Sequence, residues 1–125
     1  MTAKRPLEVV ILVVTLLAGC APAVVQQPSQ FSVAGGKSFR LDRTTEIPLS
    51  TGYSTTLRQG TRWELIGRLS QGEVYRTRDQ VVTVEGAHIH EAYIVVNDKS
   101  VVGFYLPVER TFSPVTPSQA LSIEP

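Results

Sequence analysis

The chain reads as all-β: a small antiparallel meander of five to six strands, curled into a half-open barrel or sandwich behind a separate N-terminal segment. Three features point there. Apolar and polar residues alternate with period two through 61–69. Strand-like runs recur between turn residues at the spacing of about 8 to 12 residues that small sandwiches and barrels show. No stretch beyond Cys20 carries a helical repeat of ten residues or more.

Each element follows from local pattern. Phe39 and Leu41, then Ile47 and Leu49, alternate as one or two edge strands, with Pro48 disfavouring a central position. Thr51-Gly52 and Gln59-Gly60 punctuate the chain as turns. From Thr61 onward Trp63, Leu65, Gly67 and Leu69 fall on one face, and Arg62, Glu64, Ile66 and Arg68 on the other. Ser70-Gln71-Gly72 reads as a three-residue hairpin loop, which sets Tyr75 across from Gly67 and Arg78 across from Glu64.

Gln80–Glu85 is a β-branched run ended by Gly86. The next hairpin joins 88–96 to 101–106 through Asn97-Asp98-Lys99-Ser100. Pairing Val96 with Val101 sets Tyr93 opposite Phe104 and Ala92 opposite Tyr105. Both of its faces are apolar, as in strands that are central or covered twice. Beyond Pro107 the pattern fades, so the β domain is expected over 38–112. Pro114, Pro117 and Pro125 then mark 113–125 as a Pro-rich tail.

The first twenty residues are different in kind. Lys4 and Arg5 precede the apolar run Val9 to Leu17, which is far short of the ~20 residues that span a bilayer. Small residues follow at Ala18 and Gly19, and then comes Cys20, the one cysteine of the chain. Leu17-Ala18-Gly19-Cys20 resembles the lipobox of bacterial lipoproteins at every position. The resemblance implies removal of 1–19 as a signal peptide by cleavage between Gly19 and Cys20. It also implies a diacylglyceryl group on the Cys20 thiol and an acyl chain on the new amino terminus. Two or three acyl chains make membrane attachment effectively permanent, where one is marginal. Ala21 in the next position implies, within that family, delivery to an outer membrane facing the periplasm.

Residues 20–37 then read as the lipidated cysteine and a flexible linker, with Pro22, Pro28 and Gly35-Gly36 and no apolar period. Stretched out, such a linker reaches about 55 Å. Val24, Val25 and Phe31 are the apolar residues through which it can dock on a partner or on the domain.

The chain holds 12 Lys and Arg against 11 Asp and Glu. Removal of Lys4, Arg5 and Glu8 with the signal leaves ten of each, a neutral protein, which argues against nucleic acid as a partner. With Cys20 lipidated, no thiol remains for a disulfide, a thiolate metal site or a nucleophile.

Candidate sites are sparse. His88 and His90 share a strand face at a spacing able to start a metal site, but supply only half of a tetrahedral set. No Ser or Thr is tied to them through an orienting acid, so no catalytic residue is assigned and an enzyme is not expected. Arg62, Arg68, Arg76 and Arg78 emerge on one hairpin face that can hold an anionic partner, the alternative being a solvated face balanced by Glu64, Glu73 and Asp79. Ile94, Val96, Val101 and Tyr105 form a second hairpin face, a protein-contact patch if nothing in the chain covers it.

These readings converge on a lipid-anchored envelope protein without a cofactor other than its covalent lipid. Its expected role is a non-catalytic accessory or structural module of an envelope assembly, with membrane lipid and an envelope protein as partners. One alternative is a module binding a small ligand, the cell wall or a wall hydrolase; it is similar in plan to small β-barrel lipoproteins that inhibit lysozyme, without their disulfide. The other is a metal-binding module at His88 and His90.

Overall fold

The computed structural model describes residues 20–124, and all regular structure among them is β. Thirteen strands form, rather than five or six, and every pairing is antiparallel. Residues 1–19, expected to be a signal peptide ending at Gly19, lie outside the described residues.

Sheet order follows the hairpins. β6 (Arg62–Leu69), β7 (Gly72–Thr77), β10 (Tyr93–Asn97), β11 (Ser100–Leu106) and β12 (Thr111–Ala120) are consecutive neighbours in one nine-stranded sheet. β3 (Ser38–Leu41) and β13 (Ile123–Glu124) extend it beyond β6, and β1 (Gln27–Pro28) extends it beyond β12. β2 (Ser32–Val33) pairs with the upper half of β6, above β3. Two separate hairpins, β4 (Thr45–Pro48) with β5 (Ser54–Leu57) and β8 (Thr83–Glu85) with β9 (Ile89–Glu91), form the second layer. The result is consistent with a sandwich, and no continuous ladder closes it into a barrel.

The two small hairpins are joined to each other by side chains instead of a ladder. Thr55 Oγ1 donates to the Thr83 carbonyl at 2.8 Å and Thr51 Oγ1 to that of Glu85 at 2.6 Å. The Gln80 amide donates to the Thr56 carbonyl at 2.9 Å and accepts from the Arg58 amide at 2.8 Å, imitating a peptide group. Backbone carbonyls drawn away from water must find partners, and the part-buried Thr51 and Thr55 hydroxyls supply them, while the Gln80 pair joins the hairpins at the surface. Ile47, Leu57, Val82 and Val84 of this layer pack on Trp63, Ile94, Phe104 and Leu106 of the large sheet to make the main core. Trp63 is fully buried, its indole N–H donating to Thr61 Oγ1 at 2.8 Å, so its apolar area is gained without an orphaned donor.

The opposite sheet face carries a smaller cluster of Leu69, Val74, Val95, Tyr105 and Phe112. The run 27–34 crosses it as a strap. Pro28 sits on β12 and Ser32 on β6, four residues apart and at most ~14 Å along the chain, whereas a flat sheet would set the two strap strands about 29 Å apart. The sheet is therefore strongly bent. At the other end Leu121 and Ser122 draw β12 toward β3, with the Leu121 amide donating to the Lys99 carbonyl and the Asp42 amide to that of Ser122, both at 2.9 Å.

Several expectations are corrected. The segment 20–37 is not a free linker: Val24 is buried in the main core, β1 and β2 are paired, and Phe31 stacks on Tyr105 with ring centroids 5.0 Å apart. Its Pro, Gln and Ser residues pair through the backbone, which makes little demand on side chains. Nor is 113–125 a tail. β12 pairs with β11 on both sides of an unpaired excursion at 115–118, and its prolines are tolerated because Pro114 lies beyond the end of β1 at Phe112, without a second neighbour, and Pro117 lies in the excursion.

The 62–77 hairpin has a two-residue loop, with Leu69 opposite Gly72 and Gly67 opposite Val74, and a bulge at Ile66 sets Leu65 opposite Tyr75 and Glu64 opposite Arg76. Val96 does pair with Val101, but a bulge beyond it sets Ile94 opposite Phe104 and Tyr93 opposite Tyr105. Residues 88–96 are not one strand, since Ile89–Glu91 belongs to the second layer and the chain changes sheets at the buried Ala92.

Candidate functional site

The end of the domain at which the described chain begins gathers the residues with the clearest functional reading. Cys20 is exposed, and it lines a shallow hollow with Ala21, Thr51, Gly52 and Tyr53. Two residues on, the Pro22 carbonyl accepts a 2.9 Å hydrogen bond from the Ala87 amide in the β8–β9 turn. Val24 then enters the core beside Gly86, where an added Cβ would lie 2.7 Å from the Pro22 carbonyl oxygen. Only a glycine at 86 lets the N-terminal segment lie this close. The β4–β5 turn closes against the same site through Leu49 and Gly52, and Thr51 holds it to Glu85.

The histidines part company. His88 is exposed in the β8–β9 turn, while His90 Nδ1 lies 2.7 Å from Glu109 Oε2 in the turn after β11. That hydrogen bond holds the Glu109 carboxyl below the usual carboxylate range, against a smaller opposing effect of burial. Among the described residues no group of three His, Cys, Asp or Glu is arranged to hold a metal ion.

The four arginines are likewise distributed. At a bulge two successive side chains point to the same side, so the bulge at Ile66 reverses which face the following residues serve. Leu69 thus joins the smaller cluster and Arg68 turns to the side of the main core, where it meets Glu73 at 3.4 Å. Arg62 and Arg76 stay on the original side with Glu64, which is paired with Arg76 in register. Arg78 lies in the loop beyond β7.

Glu73 also accepts from Lys37 at 3.0 Å and from the Tyr75 hydroxyl at 3.0 Å. Burial pushes its carboxyl upward, but these hydrogen bonds and the Lys37 and Arg68 charges together outweigh burial and hold it below the ordinary range. Burial, then the hydrogen bond and charge of Glu73, push the Tyr75 phenol up to about 12.

The apolar patch is covered from within. Ile94 and Val101 are fully buried in the main core, Val96 packs against it, and Tyr105 faces the other way under Phe31. The face is thus occupied by the protein's own second layer.

Reading by pattern missed Tyr53, Thr51 and Glu109, which lie in turns without periodicity. The Thr51-Gly52 turn signal located the loop without showing that it meets Cys20. Comparison with protein-family models, with curated proteins and with solved structures finds no match to this chain.

Proposed function

We propose that the protein is a lipid-anchored, non-catalytic accessory module of a bacterial envelope assembly, held through Cys20 and acting by binding. The observation that carries this reading is the sequence Leu17-Ala18-Gly19-Cys20 set four residues before Val24, where the chain enters the folded core. An exposed cysteine at that position is free to carry a thioether-linked lipid without disturbing the fold. The neutral mature composition also suits a module that binds through shape and neutral surface more than through bulk charge.

Mass spectrometry of the N-terminal peptide from membrane-purified protein tests the anchor, with diacylglyceryl and acyl mass on Cys20 as the expected result. Crosslinking in the intact envelope, followed by detergent extraction, tests the role. A defined protein assembly should be recovered with the native chain and weakened with Cys20→Ser. A correctly lipidated protein that captures no envelope protein overturns the accessory role.

A further inference from the structure

On the reading that Cys20 is lipidated, we infer that the domain is seated directly on the bilayer, through the end formed by the β4–β5 turn and the β8–β9 turn. Tyr53 and Ile89 lie at the level of the lipid headgroups.

The tether is short enough to keep this end of the domain beside the bilayer. Val24 is buried and is the fourth residue after Cys20, so the core entry point lies at most ~14 Å along the chain from Cys20. Pro22 shortens this further by its 2.9 Å bond to Ala87, which brings the β8–β9 turn to within two residues of chain and one hydrogen bond, ~10 Å, of Cys20. Tyr53 lines the same hollow as Cys20. With the acyl chains in the membrane, these two turns are held at its surface.

The chemistry of that end suits a lipid interface. Residues 20–36, 47–57 and 86–90 contain no Asp, Glu, Lys or Arg. Glu85 is the one acidic side chain within the tip of the β8–β9 hairpin, the Glu109 carboxylate meets the hairpin from outside at His90, 2.7 Å away, and the β4–β5 turn has none. Tyr53 is 46% and Ile89 66% exposed, so this end presents one aromatic and one aliphatic side chain beside uncharged backbone turns. A tyrosine with its ring against apolar matter and its hydroxyl in water is the typical residue of the membrane–water boundary.

Charge collects at the other end of the β4–β5 hairpin. Asp42, Arg43 and Arg58 lie there, with the Arg58 guanidinium donating to the Asp79 carbonyl at 2.9 Å and the Arg62 amide to the Asp79 carboxylate at 2.7 Å. From Pro48 opposite Ser54 to Thr45 opposite Leu57 is about 10 Å of strand, and over that distance the surface changes from uncharged to charged.

Lipidation consumes the thiol of Cys20, so a cysteine introduced elsewhere is the sole reactive thiol. Spin labels at Tyr53→Cys, Ile89→Cys and, as the distal control, Gln59→Cys are read in the lipidated full protein in phosphatidylethanolamine–phosphatidylglycerol vesicles. The expected result is a several-fold higher ratio of oxygen to nickel-complex accessibility at 53 and 89 than at 59. Hydrogen exchange on the unlabelled protein gives an independent reading, with 50–53 and 87–89 slowed in vesicles relative to Cys20→Ser in solution. If lipid is present on Cys20 but all three labels meet the nickel complex equally and exchange is unchanged, the seating is wrong and the anchor stands. If Cys20 carries no lipid, the anchor fails and the seating with it.

Discussion

The two faces of the large sheet are covered by different means. On one, Trp63, Ile94 and Phe104 meet two hairpins that contribute Ile47, Leu57, Val82 and Val84, so that most of these side chains are fully buried. On the other, Val74, Val95, Tyr105 and Phe112 are covered by one irregular run of chain, in which Phe31 is the single large side chain. The first cover needs matched side-chain shapes, and the second needs room. That room comes from glycines: a Cβ at Gly67 would collide with the Phe31 ring, and one at Gly103 with the Phe112 ring. Each glycine sits beside a bulge, where an extra residue, Ile66 or Val102, turns two neighbours toward the same face. A thin cover is therefore possible only where the sheet has been locally stripped of side chains.

The comparison is broken most severely by Trp63→Ala. Truncation of a fully buried tryptophan costs about 3 to 5 kcal/mol, a large share of the stability of a domain this size, and leaves Thr61 without its indole donor. Chemical denaturation should show loss or near loss of the folded baseline, with both faces melting together.

Phe31→Ala sharpens the contrast, because it removes the strap's one stacked ring and leaves the main core intact. A half-buried aromatic is worth less, about 1 to 2 kcal/mol. Hydrogen exchange should quicken at Ala34, whose amide donates to the Ile66 carbonyl, while Ile94 in the core stays protected. Equal acceleration at both would mean that the two faces are one cooperative unit.

The hydrogen bond between Glu73 and Tyr75 reports on the main-core side through pH. Because burial first, and then the bond and charge of Glu73, raise the folded phenol from 10.0 to about 12, the contribution of the protonated phenol is complete below pH 10 and is lost as pH rises toward 12. The lowered Glu73 carboxyl works in the other direction: its contribution is present above its ordinary value of 4.5 and is lost as pH falls through the folded value. Tyr75→Phe should cost about 1 kcal/mol at neutral pH and flatten the alkaline decline between pH 10 and 12, seen in urea midpoints.

The smallest effect is expected where neither face is involved. Asp98 and Lys99 both adopt positive φ, 51° and 59°, in the two-residue turn between β10 and β11. Lysine has no preference for that region, whereas glycine enters it freely. Lys99→Gly should raise stability by about 0.5 to 1 kcal/mol, a few degrees in Tm, leaving exchange on both faces in their original ratio.

The sequence alone determined what depends on near neighbours. Alternation through 62–69 predicts the buried set Trp63, Leu65 and Leu69, the turns at 51–52 and 59–60 lie where their glycines stand, and Val96 faces Val101 across a turn whose ends are set by its own residues. The expectation at Cys20 rests on equally local information, since a four-residue motif after an apolar run requires nothing distant. Tertiary structure decided the rest. A bulge leaves no local signature, so Arg68 parts from Arg62 and Arg76 only when β7 supplies one residue fewer opposite Ile66. Extended backbone pairs through amides and carbonyls that every residue but proline possesses in full, so the 27–34 strap and the 111–120 strand look like linker and tail until β6, β11 and β12 offer partners. The meeting of Cys20, Tyr53 and Ala87 at one end of the molecule is of the same kind, because it joins three loops that only the folded sheets bring together.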